Sequence, residues 1–139
     1  VEIKSRISNL YLQLTNYYYR TMPEIEPTPK SITANRANAR LTIEWSNGRV
    51  VSYPFDLLRN ACPCAQCRGG HENMKPEPDP GVFIIPLMNA STTRLVGIEA
   101  VGNYAINIEW EDGHKYGIYN WHYLVALADE MDKHIAKNN

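Results

Sequence analysis

The sequence predicts a small α+β domain: antiparallel β-hairpins forming a small sheet, a C-terminal helix packed on it, and a loop pinned by a Cys3His metal site. Three observations carry this reading. Two runs alternate apolar and polar residues and end in a tryptophan and a glycine turn, Leu41 to Gly48 and Ile106 to Gly113. Near the C-terminus, Trp121, Leu124, Leu127, Ala128, Met131 and Ile135 recur at helical spacing. All three cysteines fall within Cys62-Pro63-Cys64-Ala65-Gln66-Cys67.

Size and composition set the frame. The chain has 139 residues, 44% hydrophobic and 21% charged, which suits one ordinary globular domain. A net charge of −1 gives no electrostatic footprint for nucleic acid or an anionic membrane, so neither is an expected partner. No apolar run approaches the ~20 residues of a membrane span, and Val1 to Arg20 lacks the apolar stretch of a signal peptide. With an odd cysteine count, the expected compartment is the cytoplasm.

The N-terminal residues 1–29 read as an extension and proline-rich linker ahead of a domain over 30–139. Ile3, Ile7, Leu10, Leu14 and Tyr17 recur at helical spacing, and Glu24 to Pro29 is extended. Met22 reads as a natural start, which would make residues 1–21 extra sequence; a helix docking on the domain or a partner is the competing reading. Within the domain, Leu41, Ile43 and Trp45 form a half-buried strand, Asn47-Gly48 a tight turn, and Val50, Val51 and Tyr53 the return strand. Phe55 to Arg59 is a helical turn leading into the cysteines. Gly69 to Gly81 is loop, and Val82 to Leu87 an edge strand interrupted by Pro86. Leu95 to Val101 is a strand. Ile106, Ile108 and Trp110 form another, with a two-residue turn at Asp112-Gly113 and a return strand through Tyr116 and Ile118. Leu41-Thr-Ile-Glu-Trp-Ser-Asn-Gly-Arg49 is echoed by Ile106-Asn-Ile-Glu-Trp-Glu-Asp-Gly-His114, as a duplicated hairpin–helix unit would be.

Cys64-x-x-Cys67 is the spacing of a metal knuckle. Cys62 and Cys64, at i and i+2 around a proline that favours extended backbone, point to the same side. Three sulfurs can therefore converge, and a tetrahedral zinc site needs one more ligand. The same pair could be a thioredoxin-type redox motif, but no βαβ pattern surrounds it. Four histidines compete for the fourth position. His134 suits the C-terminal end of its helix, and His122 starts that helix. His71 lies four residues after Cys67. A two-residue turn would put His114 on the solvent face with Glu109 and Glu111, at a rim the cysteine loop could reach. Ligand type and spacing rank His71 and His114 equally.

The pieces Leu58-Arg59-x-x-Cys62-Pro63-Cys64-x-x-Cys67-Arg68-Gly69, Val101-Gly102-Asn103-Tyr104, Trp110-Glu-Asp-Gly-His114 and Gly117-Ile118-Tyr119-x-Trp121 resemble the gamma-butyrobetaine hydroxylase-like N-terminal domain family over about residues 30 to 130. The resemblance implies a structural zinc held by Cys62, Cys64, Cys67 and His114, and a small free-standing member of the family. The hydroxylase's iron- and 2-oxoglutarate-binding jelly roll has no counterpart in these residues. Relatives fused to Mrp-type ATPases handle iron–sulfur clusters, though no Walker motif is present here.

Three functions follow as expectations. The first is a non-catalytic zinc-binding module serving as a protein-interaction or accessory domain; Tyr119, Trp121 and Tyr123 are not expected all to face inward, and some of them would contribute to a partner surface. The second is an iron–sulfur cluster assembly or transfer accessory protein. The third is a zinc enzyme using Glu109, Glu111 or Asp112 beside His114. No nucleophile–base pair or phosphate loop supports an enzyme, so none is expected.

Overall fold

A computed structural model of the protein describes residues 10–14, 16–17, 25–83 and 94–138. Residues 10–14 and 16–17 are helical with Leu10, Leu14 and Tyr17 exposed, while Ile3 and Ile7 lie outside the described residues. No helix among the described residues is long and apolar enough to cross a membrane.

Strands β1 (Pro29–Asn35), β2 (Arg40–Trp45) and β3 (Val50–Pro54) form one antiparallel sheet, followed directly by helix α1 (Phe55–Asn60). A single-turn helix α2 (Ala65–Arg68) and two short 3-10 turns, His71–Asn73 and Pro80–Phe83, occupy the middle of the chain. Strands β4 (Leu95–Val101), β5 (Ala105–Trp110) and β6 (Gly117–Asn120) form the second antiparallel sheet, followed directly by helix α3 (Trp121–Asn138).

The hairpins thus lie in two three-stranded sheets rather than one. The alternation that marks β2 and β5 is obeyed: Leu41, Ile43, Trp45, Ile106, Ile108 and Trp110 are all buried. Strand β1 carried no such signal. Of its residues only Pro29 and Ile32 are even half-buried, as befits an edge strand that offers one apolar side chain to the core. Val82 and Phe83 are in a 3-10 turn, not the expected edge strand, because Pro80-Gly81 starts a turn there; residues 84–87 lie outside the described residues.

The two sheet–helix units are built alike and exchange contacts. Both β1–β2 and β4–β5 carry a register shift at their first residues, Pro29/Ser31 and Leu95/Gly97. Trp45 of the first unit meets Trp121 of the second edge to face, with centroids 6.5 Å apart at 77°. In return, Trp110 of the second meets Phe55 of the first at 6.1 Å and 78°. The Tyr53 hydroxyl donates to the Leu124 carbonyl at 2.8 Å, and the Tyr119 hydroxyl to the Leu58 carbonyl at 2.6 Å. Burial pushes both phenols well above their ordinary pKa, so they act as neutral donors. Each unit therefore completes the other's core, and the echo seen in the sequence is a duplicated architecture.

The units differ after their helices. Helix α3 runs on for 18 residues. Helix α1 stops after six, since Pro63 disfavours helical backbone at Cys62, and the chain turns into the cysteine loop.

Candidate metal centre

The knuckle is a local structure. Cys64 sits in extended backbone as the N-cap of α2, and its sulfur accepts the Cys67 N–H at 3.4 Å. Gly69 closes the turn with φ 82°, a left-handed conformation suited to glycine. Arg68 clamps the loop from behind, donating to the carbonyls of Cys62 at 2.9 Å and Asn60 at 2.8 Å. These bonds hold the three sulfurs on one side of the loop.

The fourth group arrives from the β5–β6 turn. Trp110 N–H donates to the His114 carbonyl at 2.9 Å and Gly113 N–H to the Trp110 carbonyl at 3.0 Å. The loop between the paired residues is therefore Glu111-Asp112-Gly113, three residues long, with Gly113 alone at positive φ (87°). That corrects the two-residue turn expected from Asp-Gly. A one-residue change in loop length moves the following side chain to the opposite face. His114 thus shares the face of Trp110, not that of Glu109 and Glu111, and is buried at 9% exposure. The Asp112 carboxylate fixes the turn by accepting the His114 N–H at 3.1 Å.

The result is a closed cluster. His114 Nε2 lies 3.2 Å from Cys62 Sγ, 3.6 Å from Cys64 Sγ and 3.4 Å from Cys67 Sγ. All four atoms fall within 4.8 Å of one another, so they could hold a metal ion. A tetrahedral ion with metal–sulfur bonds of about 2.3 Å and metal–nitrogen bonds of about 2.0 Å sets nitrogen and sulfur roughly 3.5 Å apart, which the three Nε2–Sγ distances match. Cys62 is fully buried, Cys64 nearly so, and Cys67 partly open. Its bond to Cys67 and its burial raise the Cys62 thiol. The bond from Cys62 lowers Cys67 to about 5, helped by Cys64, His114 and Arg59 against desolvation.

Beyond the four clustered atoms, Arg59 Nη1 donates to Cys67 Sγ at 3.5 Å, and Nη2 to Asp112 Oδ2 at 3.3 Å. Although desolvation opposes it, the His114 N–H and the Arg59 guanidinium hold Asp112 below its ordinary value.

The other histidines are elsewhere. His71 is exposed in the 3-10 turn and lines a groove of about 460 Å³ together with Cys64, Met74, Tyr116 and Ile118. His134 stacks on Phe83 at 5.2 Å. His122 lies between two carboxylates, Nδ1 at 2.5 Å from Glu26 and Nε2 at 3.2 Å from Glu77. Of the three aromatics around the start of α3, Tyr119 and Tyr123 are buried and Trp121 is half-buried, while Tyr104 and Tyr116 are exposed. The Tyr123 hydroxyl instead ties the helix to the cysteine loop by donating to the Ala61 carbonyl.

The gamma-butyrobetaine hydroxylase-like, N-terminal family matches residues 32–125. The chain belongs to this family. The match runs from within β1 to the first turn of α3 and includes all four residues of the cluster. A crystal structure of a protein of unknown function from Acidithiobacillus ferrooxidans ATCC 23270, assigned to the DUF971 family, is 23% identical with a TM-score of 0.53; the alignment covers 78% of this chain and 98% of that one. Two solution structures share the fold, one 26% identical with a TM-score of 0.54 over 81% of this chain and 82% of its own, the other 25% identical at 0.57 over 84% of each. No curated protein matches.

Proposed function

We propose that this member of the gamma-butyrobetaine hydroxylase-like, N-terminal family is a non-catalytic zinc-binding module that serves as a protein-interaction or accessory domain in the cytoplasm, with Cys62, Cys64, Cys67 and His114 as the ligands. One observation carries the reading. Three sulfurs and Nε2 converge at the spacing of a single tetrahedral ion, with ligands drawn from both units of the fold. Zinc would supply four bonds joining the cysteine loop to the β5–β6 turn.

The surroundings favour a structural role. A catalytic zinc keeps one position for water and needs a neighbouring acid or base. Here four protein groups would fill the coordination sphere. Glu111 is turned outward to Arg94, and Asp112 is engaged by Arg59 and the His114 N–H. The spacing also weighs against an iron–sulfur cluster, whose cysteines bind separate irons and spread around a body larger than one ion.

The test is metal content by mass spectrometry with an absorption spectrum on protein purified without oxygen, followed by chelation. One zinc per chain and a large fall in Tm on chelation are expected, since structural zinc contributes about 10 kcal/mol or more of apparent binding energy. Iron with sulfide and visible absorption would replace this reading with cluster assembly or transfer.

A further inference from the structure

Cys67 is the least enclosed of the four ligands. It lines a polar cavity of about 310 Å³ with Arg68, Asn73, Lys75, Glu77 and Asp79. Three thiolates around a divalent ion leave a centre with a net charge of −1, and zinc-bound thiolates stay nucleophilic in proportion to the charge left on sulfur. A centre that holds its metal therefore needs a cation or donor at its open corner.

A guanidinium bonded to the Cys67 sulfur meets that requirement. Arg59 stands on the last turn of α1 with its side chain only 13% exposed. Its Nη1 donates to Cys67 Sγ, and its Nη2 is anchored by Asp112. Asp112 in turn holds the backbone of His114. The chain Cys67–Arg59–Asp112–His114 thus runs outside the ligand atoms and makes a second link between the cysteine loop and the β5–β6 turn. Arg68, the other nearby guanidinium, is committed to the carbonyls of Cys62 and Asn60.

We infer that Arg59 is a positioning residue for the metal centre: it neutralises the three-thiolate site at Cys67, suppresses that sulfur's reactivity, and fixes His114 through Asp112. This rests on the zinc reading above. It implies a centre built to retain its ion, with Cys67 as the corner that opens first when Arg59 is lost.

The test is site-resolved alkylation of the metal-loaded protein with iodoacetamide, in which the Cys67 sulfur forms a thioether and iodide leaves. Each cysteine's rate is read by peptide mass spectrometry, and metal content and Tm are measured on the same samples. Arg59→Gln is expected to speed Cys67 alkylation by about tenfold or more, from loss of a charge-assisted bond, while Cys62 stays protected. Arg59→Lys should restore much of the protection, and Asp112→Asn, which keeps the guanidinium but removes its anchor, should fall between. Equal acceleration at all three cysteines would mean loss of fold alone and would overturn the inference, as would unchanged Cys67 reactivity in folded, metal-loaded Arg59→Gln. A wild-type protein with no single bound ion would overturn the zinc reading itself, before any variant is compared.

Discussion

Gly117 shows how tightly the centre is packed at the level of one residue. A Cβ there would stand 2.7 Å from Cys62 Sγ and 3.0 Å from the Tyr119 ring. Both neighbours are fixed, the sulfur in the cluster and the tyrosine by its bond to the Leu58 carbonyl. Gly117→Ala is expected to cost about 1–3 kcal/mol by overpacking and to weaken metal retention, read as paired losses of Tm and bound metal. A stable, fully loaded variant would show that β6 can retreat from the loop. Residue identity also explains which members of the cluster could be read from sequence. The cysteines announce themselves by spacing. His114 does not, because its face depends on whether the turn holds two residues or three, and Asp-Gly is compatible with both. Arg59 carries no spacing signal either; only the folded chain places it between Cys67 and Asp112.

At the scale of elements, the two hairpin turns are equivalent in form and opposite in chemistry. Asn47 accepts the Arg49 N–H as Asp112 accepts the His114 N–H. From the same position His114 faces the cysteines, while Arg49 reaches Asp129 and Asp132 on α3, each at 2.7 Å. Both carboxylates are well exposed, so the ion pairs are screened. Arg49→Ala is expected to cost no more than about 1 kcal/mol, less in high salt, measured by chemical denaturation. His114→Ala should cost several times more in the metal-loaded protein. A second surface contact joins the segment before β1, the loop after the cysteines and the start of α3. Both nitrogens of His122 face carboxylates, Glu77 and Glu26, which only the imidazolium satisfies fully, and these raise its pKa against desolvation. Its stabilisation is therefore complete below the ordinary value of 6.5 and is lost as pH rises through the raised folded value. The Tm difference between wild type and His122→Asn should shrink as pH increases across that window. A constant difference would show that the contact does not depend on the proton. Elements with strong periodicity, β2, β5 and α3, were legible because one face of each is buried. Strand β1 was not, because pairing with β2 rather than burial defines it.

For the whole molecule, the fold class was readable and the pairing of its halves was not. The repeated Trp-x-x-Gly pattern shows two similar units but not that each finishes the other. The tyrosine and tryptophan contacts that cross between them bridge long stretches of chain and leave no local trace. The Cys3His cluster belongs to this class of contact, since Cys62 and His114 are 52 residues apart in sequence. Chelation should accordingly loosen both units, and hydrogen exchange is expected to accelerate in β2 as well as β5. Exchange limited to the cysteine loop would mean that the aromatic contacts alone hold the halves together.

The reciprocal contacts have the form of an interface between two copies of one subunit, here enclosed within a single chain. Were the halves identical partners, any substitution at the turn would appear at both sites together. Joined in one polypeptide, the two positions can differ, and they do: one places a guanidinium against carboxylates, the other an imidazole against cysteine sulfurs. Broken symmetry leaves a single Cys3His cluster in a frame that would otherwise make two.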